Sequence, residues 1–140
     1  MRILIDTSVL VAAMVASEPH HDASAKLLDR DDVHFYAHGI SETFSTLTGG
    51  RRAFRLPASL VSDMLENDFL PEMSPVSLAP GEITRALGQA ETRGVRGGAV
   101  FDYLHLVAAR KANASRLYTL NLSHFLAVAR EDDPEITRPA

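Results

Sequence analysis

The sequence contains no cysteine, and this absence excludes three kinds of chemistry. Without thiols the chain has no disulfide framework, no thiolate zinc site and no cysteine nucleophile. Any metal ion must therefore be held by carboxylates, amides, imidazoles or water. Ligands of this kind favour hard cations that prefer oxygen.

Long apolar runs are also missing. No stretch approaches the ~18 consecutive apolar residues that a membrane-spanning helix requires, and no signal peptide precedes the first predicted strand. The composition, 46% hydrophobic and 23% charged, is ordinary for a soluble globular protein. We therefore expect a single domain over residues 1–140 that acts in the cytoplasm and has no membrane partner.

Positive charge is scarce, since the formal net charge is −4 and only Lys26 and Lys111 are lysines. Non-specific affinity for nucleic acid comes mainly from Lys and Arg side chains that neutralise phosphates, so bulk attraction to a polyanion is not expected. Any nucleic acid must be held locally, by clustered cations. These clusters are Arg51, Arg52 and Arg55; Arg93 and Arg96; and Arg110 and Lys111.

Strands and helices alternate along the chain, and no internal repeat is present. Apolar runs predict strands over residues 2–5, 34–37, 73–77 and 116–120, and the acidic end of the chain is either an edge strand or frayed. Alternation of this kind predicts an α/β fold with a parallel sheet covered by helices on both faces. In such sheets ligands bind beyond the carboxyl ends of the strands.

The helices between these strands have recognisable ends. Thr7 or Ser8 can cap the first, the third begins near Ser41, and a helix over residues 99–113 is expected to bury Phe101 on its apolar stripe.

Three acidic residues stand where strands end or helices begin. Asp6 directly follows the first strand, Glu42 is predicted in the first turn of a helix, and Asp102 follows Gly97-Gly98 at the start of another helix. Taken alone, each of them is better explained as a cap, a turn carboxylate or a solvated first-turn residue.

Four segments, "ILIDTSVL", "SETFSTL", "FDYLHLVAA" and "LYTLNLSHF", occur in this order and at suitable separations. In this arrangement the chain resembles the PIN domain family and, within it, the VapC-type toxin ribonucleases of type II toxin–antitoxin systems. The resemblance implies a three-layer sandwich with a short central parallel sheet of 4–5 strands flanked by helices.

The resemblance also implies an activity, namely Mg²⁺-dependent endoribonuclease cleavage with Mn²⁺ as a substitute. Asp6, Glu42 and Asp102 then match the metal-binding acids, and Asn121 belongs to the catalytic set. A cognate antitoxin, a homodimer and a structured RNA substrate (tRNA, rRNA or mRNA) are implied as partners. Mg²⁺ binds oxygen ligands and keeps several waters, so a few carboxylates around an open site suit it.

One departure from the family pattern concerns the last segment. The family often places a further aspartate where this chain has Asn121 or His124, and neither residue is acidic. Three carboxylates favour one tightly bound ion over two.

Hydroxyl groups beside the acids are candidates to orient the carboxylates or to hold a water. They are Thr7, Ser8 and Thr119, for which capping and strand propensity are the ordinary explanations. Candidate phosphate contacts are arginines in two predicted loops, Arg51, Arg52, Arg93 and Arg96. His105, three positions after Asp102, could reach the same cleft one helical turn on, but a core or rim histidine is the favoured expectation.

Two other functions are weighed against the nuclease. A catalytically weakened PIN-like module could act through RNA or protein contacts alone. A phosphatase of the DxD kind is disfavoured, because the residue two positions after Asp6 is Ser8 and not a second aspartate.

Overall fold

The fold is described from a computed structural model, for residues 1–49 and 55–140. The candidate phosphate contacts Arg51 and Arg52 lie outside these residues. Within them, five short strands form one parallel sheet in the order β3-β2-β1-β4-β5. The strands are β1 (Ile3–Ile5), β2 (Val33–Tyr36), β3 (Ser74–Val76), β4 (Arg116–Tyr118) and β5 (Glu135–Thr137).

Helices connect the strands and cover both faces of the sheet. The α-helices are α1 (Thr7–Met14), α2 (His21–Leu28), α3 (His38–Thr48), α4 (Ala58–Met64), α5 (Pro80–Leu87), α6 (Ala99–Lys111) and α7 (Leu122–Val128). A π-helical turn, Leu65–Phe69, and a 3-10 turn, Leu70–Glu72, continue from α4, and a second 3-10 turn covers Glu91–Arg93.

The central strand β1 is buried on both faces, which explains its unbroken apolar sequence. Ile3 and Ile5 pack into one core with α1 to α4, while Leu4 packs into a second core with α5 to α7. All three residues are completely buried. A strand covered on both sides has no solvated face and so lacks polar alternation. The predicted three-layer α/β sandwich with a parallel sheet is confirmed.

The start of α1 differs from the prediction, because the capping residue is Asp6 and not Thr7 or Ser8. The Asp6 carboxylate accepts a hydrogen bond from the backbone N–H of Val9 at 3.1 Å. The chain turns directly from β1 into the helix, so the first residue after the strand takes the capping position.

Two further predictions about helices are wrong. The helix α3 begins at His38, directly after β2, so Glu42 lies in its second turn and not its first. Phe101 is 52% exposed and is not in the core. Since α6 leads into a strand parallel to the others, its first turn lies at the carboxyl edge of the sheet, where less of the apolar stripe is covered.

The acidic end of the chain forms β5, which pairs in parallel with β4. Among the described residues no helix is both long enough and apolar enough to span a bilayer.

Candidate active site

The four predicted catalytic residues line one cleft at the carboxyl edge of the sheet. Asp6 follows β1, and its backbone N–H donates to the carbonyl of Tyr118 at the end of β4, so the two strands end side by side. Glu42 comes from α3 and Asp102 from α6, while Asn121 follows β4. The cleft has a volume of about 400 Å³.

Asp6 is held by three hydrogen bonds and is only 3% exposed. One carboxylate oxygen accepts from Ser8 Oγ at 2.6 Å and from the N–H of Val9 at 3.1 Å. The other accepts from Thr119 Oγ1 at 2.7 Å. Two of the three hydroxyl residues predicted to orient the site therefore contact this carboxylate directly.

The same hydroxyls tie Asp6 to the segment that follows β4. Ser8 Oγ accepts from the N–H of Leu120 at 3.0 Å, and Thr119 Oγ1 accepts from the N–H of Asn121 at 2.9 Å. Each hydroxyl thus donates to the carboxylate and accepts from the backbone. This arrangement fixes the rotamer of Asp6 and orders the backbone that carries Asn121.

Glu42 is oriented by a histidine that lies beneath it. The Nε2 atom of His105 lies 2.9 Å from Glu42 Oε1, and Thr7 Oγ1 donates to the same oxygen at 3.4 Å. His105 is 2% exposed, and no described residue offers a partner to its Nδ1 atom. Because a carboxylate only accepts, the proton of a neutral His105 must be on Nε2.

The approach of α3 to this histidine is close enough to require glycine. A Cβ atom at Gly39 would lie 2.7 Å from Phe35 Cζ and 3.1 Å from His105 Cε1. The helix can therefore place Glu42 over His105 only because residue 39 has no side chain.

The three carboxylates influence one another through charge. Burial raises the pKa of Asp102, and the nearby charges of Asp6 and Glu42 raise it further, against the opposing effect of His105 and His124. Burial also raises the pKa of Asp6, and it outweighs the charge of His105 and the three hydrogen bonds. Repulsion of this kind is what a bound cation would relieve.

The pKa of Glu42 is shifted in the opposite direction, below its usual value. Burial alone would raise its pKa, but the hydrogen bond and charge of His105, with smaller effects of His38 and Thr7, lower it. Glu42 is thus the acid of the site that His105 keeps ionised.

The match to a family model covers most of the chain. The model described as PIN domain matches residues 3–131. The chain belongs to the PIN domain family. The four segments in which the chain resembles this family contribute Asp6, Glu42, Asp102 and Asn121 to one cleft of the fold.

Solved structures share this PIN fold over nearly the full chain. The Mycobacterium tuberculosis toxin VapC20, described as cleaving the sarcin-ricin loop, is 19% identical to this chain. The match covers 94% of this chain and 99% of that chain, with a TM-score of 0.67. VapBC2 from Rickettsia felis, bound to a promoter DNA fragment, is 15% identical. Its match covers 99% of this chain and 98% of that chain, with a TM-score of 0.68. FitAcB from Neisseria gonorrhoeae is 19% identical. Its match covers 98% of this chain and 97% of that chain, with a TM-score of 0.65. The comparison with curated proteins found no match.

The donor set of the PIN cleft fits a hard divalent cation by its chemistry, because all three acids present carboxylate oxygens. In residues 1–49 and 55–140, however, no three His, Asp or Glu side chains are grouped closely enough to hold an ion as they stand. Binding of one ion by all three acids would thus require their carboxylates to come closer together.

The two predicted phosphate contacts in this part of the chain, Arg93 and Arg96, differ in their exposure to solvent. Arg93 is 7% exposed and donates to Asp133 Oδ2 at 2.6 Å and to the carbonyl of Val128 at 3.3 Å. These contacts contradict the prediction that Arg93 binds phosphate, because its guanidinium is sequestered in the interior. Arg96 is exposed in the loop before α6 and stays a candidate.

Sequence reasoning did not assign two polar residues to the cleft that line it. His105 was expected in the core or at a rim, and its burial agrees, but its contact with Glu42 was not foreseen. The available signal was its position three residues after Asp102, which places both on neighbouring parts of one helix face. Glu18, which lines the cleft from the loop after α1, had no distinguishing signal.

Proposed function

We propose that the chain is a metal-dependent endoribonuclease and the toxin of a toxin–antitoxin pair. The observation that carries the proposal is the joint placement of Asp6, Glu42 and Asp102 around one cleft of a PIN fold, with Asn121 at its edge. The substrate would be a phosphodiester of structured RNA, either tRNA, rRNA or mRNA.

The proposed cofactor is Mg²⁺, with Mn²⁺ as a substitute. Asp6, Glu42 and Asp102 would hold it. When bound, such an ion lowers the pKa of a coordinated water and stabilises charge on the reacting oxygens.

The residues of the chain prepare the site for this chemistry. Ser8 and Thr119 hold the Asp6 carboxylate in one rotamer, and His105 with Thr7 holds that of Glu42. Groups that orient metal-binding carboxylates in this way typically change metal affinity or activity about 10–100-fold when they are removed. The Asn121 amide oxygen can accept from a water at the cleft edge but adds no charge.

Arginines beside the cleft would position the RNA backbone. Arg96, exposed immediately before α6, is the described candidate, and Arg51 and Arg52 are proposed from the sequence alone. The partners proposed with this function are a cognate antitoxin and a second copy of the chain, with the cytoplasm as its location. The fold similarity to VapBC2 and FitAcB, which are antitoxin-bound toxin complexes, supports the first of these partners, the antitoxin.

The second candidate is a PIN-like module that binds RNA or protein and has weak catalytic activity or none. Two observations favour it, namely the absence of a fourth acid at Asn121 or His124 and the absence of a compact metal-binding group among the described residues.

Cleavage of cellular RNA by the purified chain distinguishes these functions. We expect cleavage in Mg²⁺ that EDTA abolishes, that Mn²⁺ restores, and that Glu42→Gln reduces at least about 100-fold. Glu72→Gln serves as the matched control, because it changes an exposed carboxylate that lies just before β3 and does not line the cleft. Induction of the wild-type chain alone should arrest growth, whereas the Glu42→Gln chain should not. RNA binding without metal-dependent cleavage would favour the binding module.

The stability of Asp102→Asn tests metal binding without any activity measurement. An acid with a raised native pKa binds more protons in the native than in the unfolded state, so stability falls as pH rises through that window. Ionised Asp102 therefore destabilises the metal-free fold at neutral pH. In chelator we expect Asp102→Asn to be more stable than wild type by about 0.5–1 kcal/mol, the size of a partly exposed charge interaction.

Mg²⁺ should reverse this order of stability. Wild type is expected to gain about 1–3 kcal/mol at saturating Mg²⁺, and Asp102→Asn much less, as measured by urea unfolding at pH 7. Equal gains for the two proteins would place the ion away from Asp102.

A further inference from the structure

Phe101 is an exposed aromatic residue directly before Asp102, in a cavity that shares residues with the cleft. It is 52% exposed, although the other aromatic residue of α6, Tyr103, is 2% exposed. A single exposed apolar side chain is common on protein surfaces and needs no explanation by itself. What distinguishes Phe101 is the arrangement of aromatic rings around it.

The ring of Phe101 lies nearly parallel to that of His38, with centroids 6.4 Å apart and an interplanar angle of 15°. His38 is itself exposed and comes from a different helix, α3. Behind it, the buried Tyr36 ring lies 6.0 Å from His38 and 5.3 Å from His105. A row of rings therefore extends from the surface to the histidine that orients Glu42.

The outer two rings form part of a cavity of about 390 Å³ that adjoins the catalytic cleft. Glu42 and Thr46 line both spaces, and Asp102 directly follows Phe101 in sequence. Ser41 and Ser45 complete the cavity wall. The volume is near the lower limit for small-molecule sites, which suits one planar group and not a duplex.

The chemistry of the cavity selects a neutral, flat ligand. The Glu42 carboxylate on its wall repels a phosphate, so an anion is disfavoured inside it. Nucleobases stack on aromatic side chains regardless of their identity, since every base has a π-face. The hydroxyls of Ser41 and Ser45 can each donate or accept, so they tolerate the edge of any base.

On these grounds, and resting on the proposed ribonuclease function, we propose that Phe101 and His38 form a stacking site for one unpaired nucleobase of the RNA, beside Glu42 and Asp102. The base would be one that flanks the phosphate in the cleft. The site would favour single-stranded or looped nucleotides, because a paired base is already stacked within its helix.

Equilibrium binding of short oligonucleotides tests the proposal. All variants are made in the full chain carrying Asp6→Asn, so that RNA is bound without being cleaved. The probes are a fluorescently labelled octamer of adenosines and an octamer of abasic deoxyribose phosphates with the same label and charge, measured by anisotropy. Phe101→Ala should weaken binding of the adenosine octamer about tenfold and leave binding of the abasic octamer unchanged.

Two further variants separate stacking from simple apolar contact. Phe101→Tyr should keep the affinity of the parent protein, whereas Phe101→Leu should behave like Phe101→Ala. Leu87→Ala, at an apolar residue of α5 that is 44% exposed, is the matched control and should have no effect. Urea unfolding of each variant shows that the fold is retained.

Several results would overturn the stacking site. One is that Phe101→Ala weakens the binding of both octamers equally, and another is that it weakens the binding of neither. A third is a change from dimer to monomer on Phe101→Ala in sedimentation, which would make this face a contact between two copies of the chain. Failure of the parent protein to bind any octamer would also count against it. If the wild-type chain still cleaves cellular RNA in any of these cases, the ribonuclease function stands and only the stacking site fails.

Discussion

Asp6→Asn is expected to reduce RNA cleavage by at least about 100-fold while leaving the fold intact. The amide of asparagine caps a helix about as well as a carboxylate, so the hydrogen bond from Val9 is retained. Its oxygen can also accept from Ser8, whereas its neutral charge weakens attraction for a divalent cation. The Nδ2 group cannot accept from Thr119 as the second carboxylate oxygen does, but the variant also removes a buried charge whose pKa is raised, so its stability should lie close to that of wild type.

Asp6→Ala separates the catalytic from the structural role of the same residue. It removes the cap and leaves the Ser8 and Thr119 hydroxyls without their acceptor, so we expect a loss of about 2 kcal/mol in addition to the loss of cleavage. Asp63→Asn, at an exposed position of α4, is the control for the change of charge. Cleavage by Asp6→Asn at more than a tenth of the wild-type rate would contradict the proposed role of Asp6 in holding the metal.

The fold was predictable from the sequence because local pattern and overall architecture agree along most of the chain. The run Ile3 to Ile5, without polar alternation, indicates a strand buried on both faces, and the strand is in fact packed between two cores. Prediction failed where a helix extends past the sheet. The apolar periodicity of α6 includes Phe101, but periodicity does not reveal where the supporting sheet ends.

The shared position of Asp6 and Asn121 was predictable for a related reason. Asp6 follows a strand, and Asn121 lies three residues beyond the end of another strand, β4, so parallel topology brings them to one edge. The contact between His105 and Glu42 could not be predicted, since it joins residues that are 63 positions apart and depends on how closely α3 packs at Gly39. Residues brought together only by packing leave no short motif.

The burial of Arg93 could not be predicted either, because it too depends on a residue distant in sequence. Two arginines in a glycine-containing segment look alike in the sequence, yet Arg93 is buried and Arg96 is exposed. The partner that decides the matter is Asp133, which lies 40 positions further along the chain in the segment that leads into β5. One of two arginines in a pattern typical of phosphate binding therefore proves to be part of the structural core.

Asp133→Ala is expected to destabilise the fold by about 3 kcal/mol, because it breaks a buried ion pair. The side chain of Asp133 is fully buried, its Oδ2 atom lies 2.6 Å from Arg93, and its Oδ1 atom lies 3.4 Å from Arg110 Nε. Removing it leaves the Arg93 charge buried without a counter-ion. The hydrogen bond with Asp133 raises the pKa of Arg93, so this charge is lost only in strongly alkaline solution and the penalty applies across the neutral range.

The neighbouring residue provides a matched control for this prediction. Asp132 is 72% exposed and lies 3.6 Å from Arg110, so Asp132→Ala should change the free energy of unfolding by less than about 0.5 kcal/mol. Replacing both buried partners, as Arg93→Met with Asp133→Leu, should recover most of the lost stability, because no unpaired charge remains. Urea unfolding measures all three proteins. If the double variant were no more stable than Asp133→Ala, the loss would come from the hydrogen bond that Asp133 Oδ2 accepts from the backbone N–H of Arg130 and not from the buried charge.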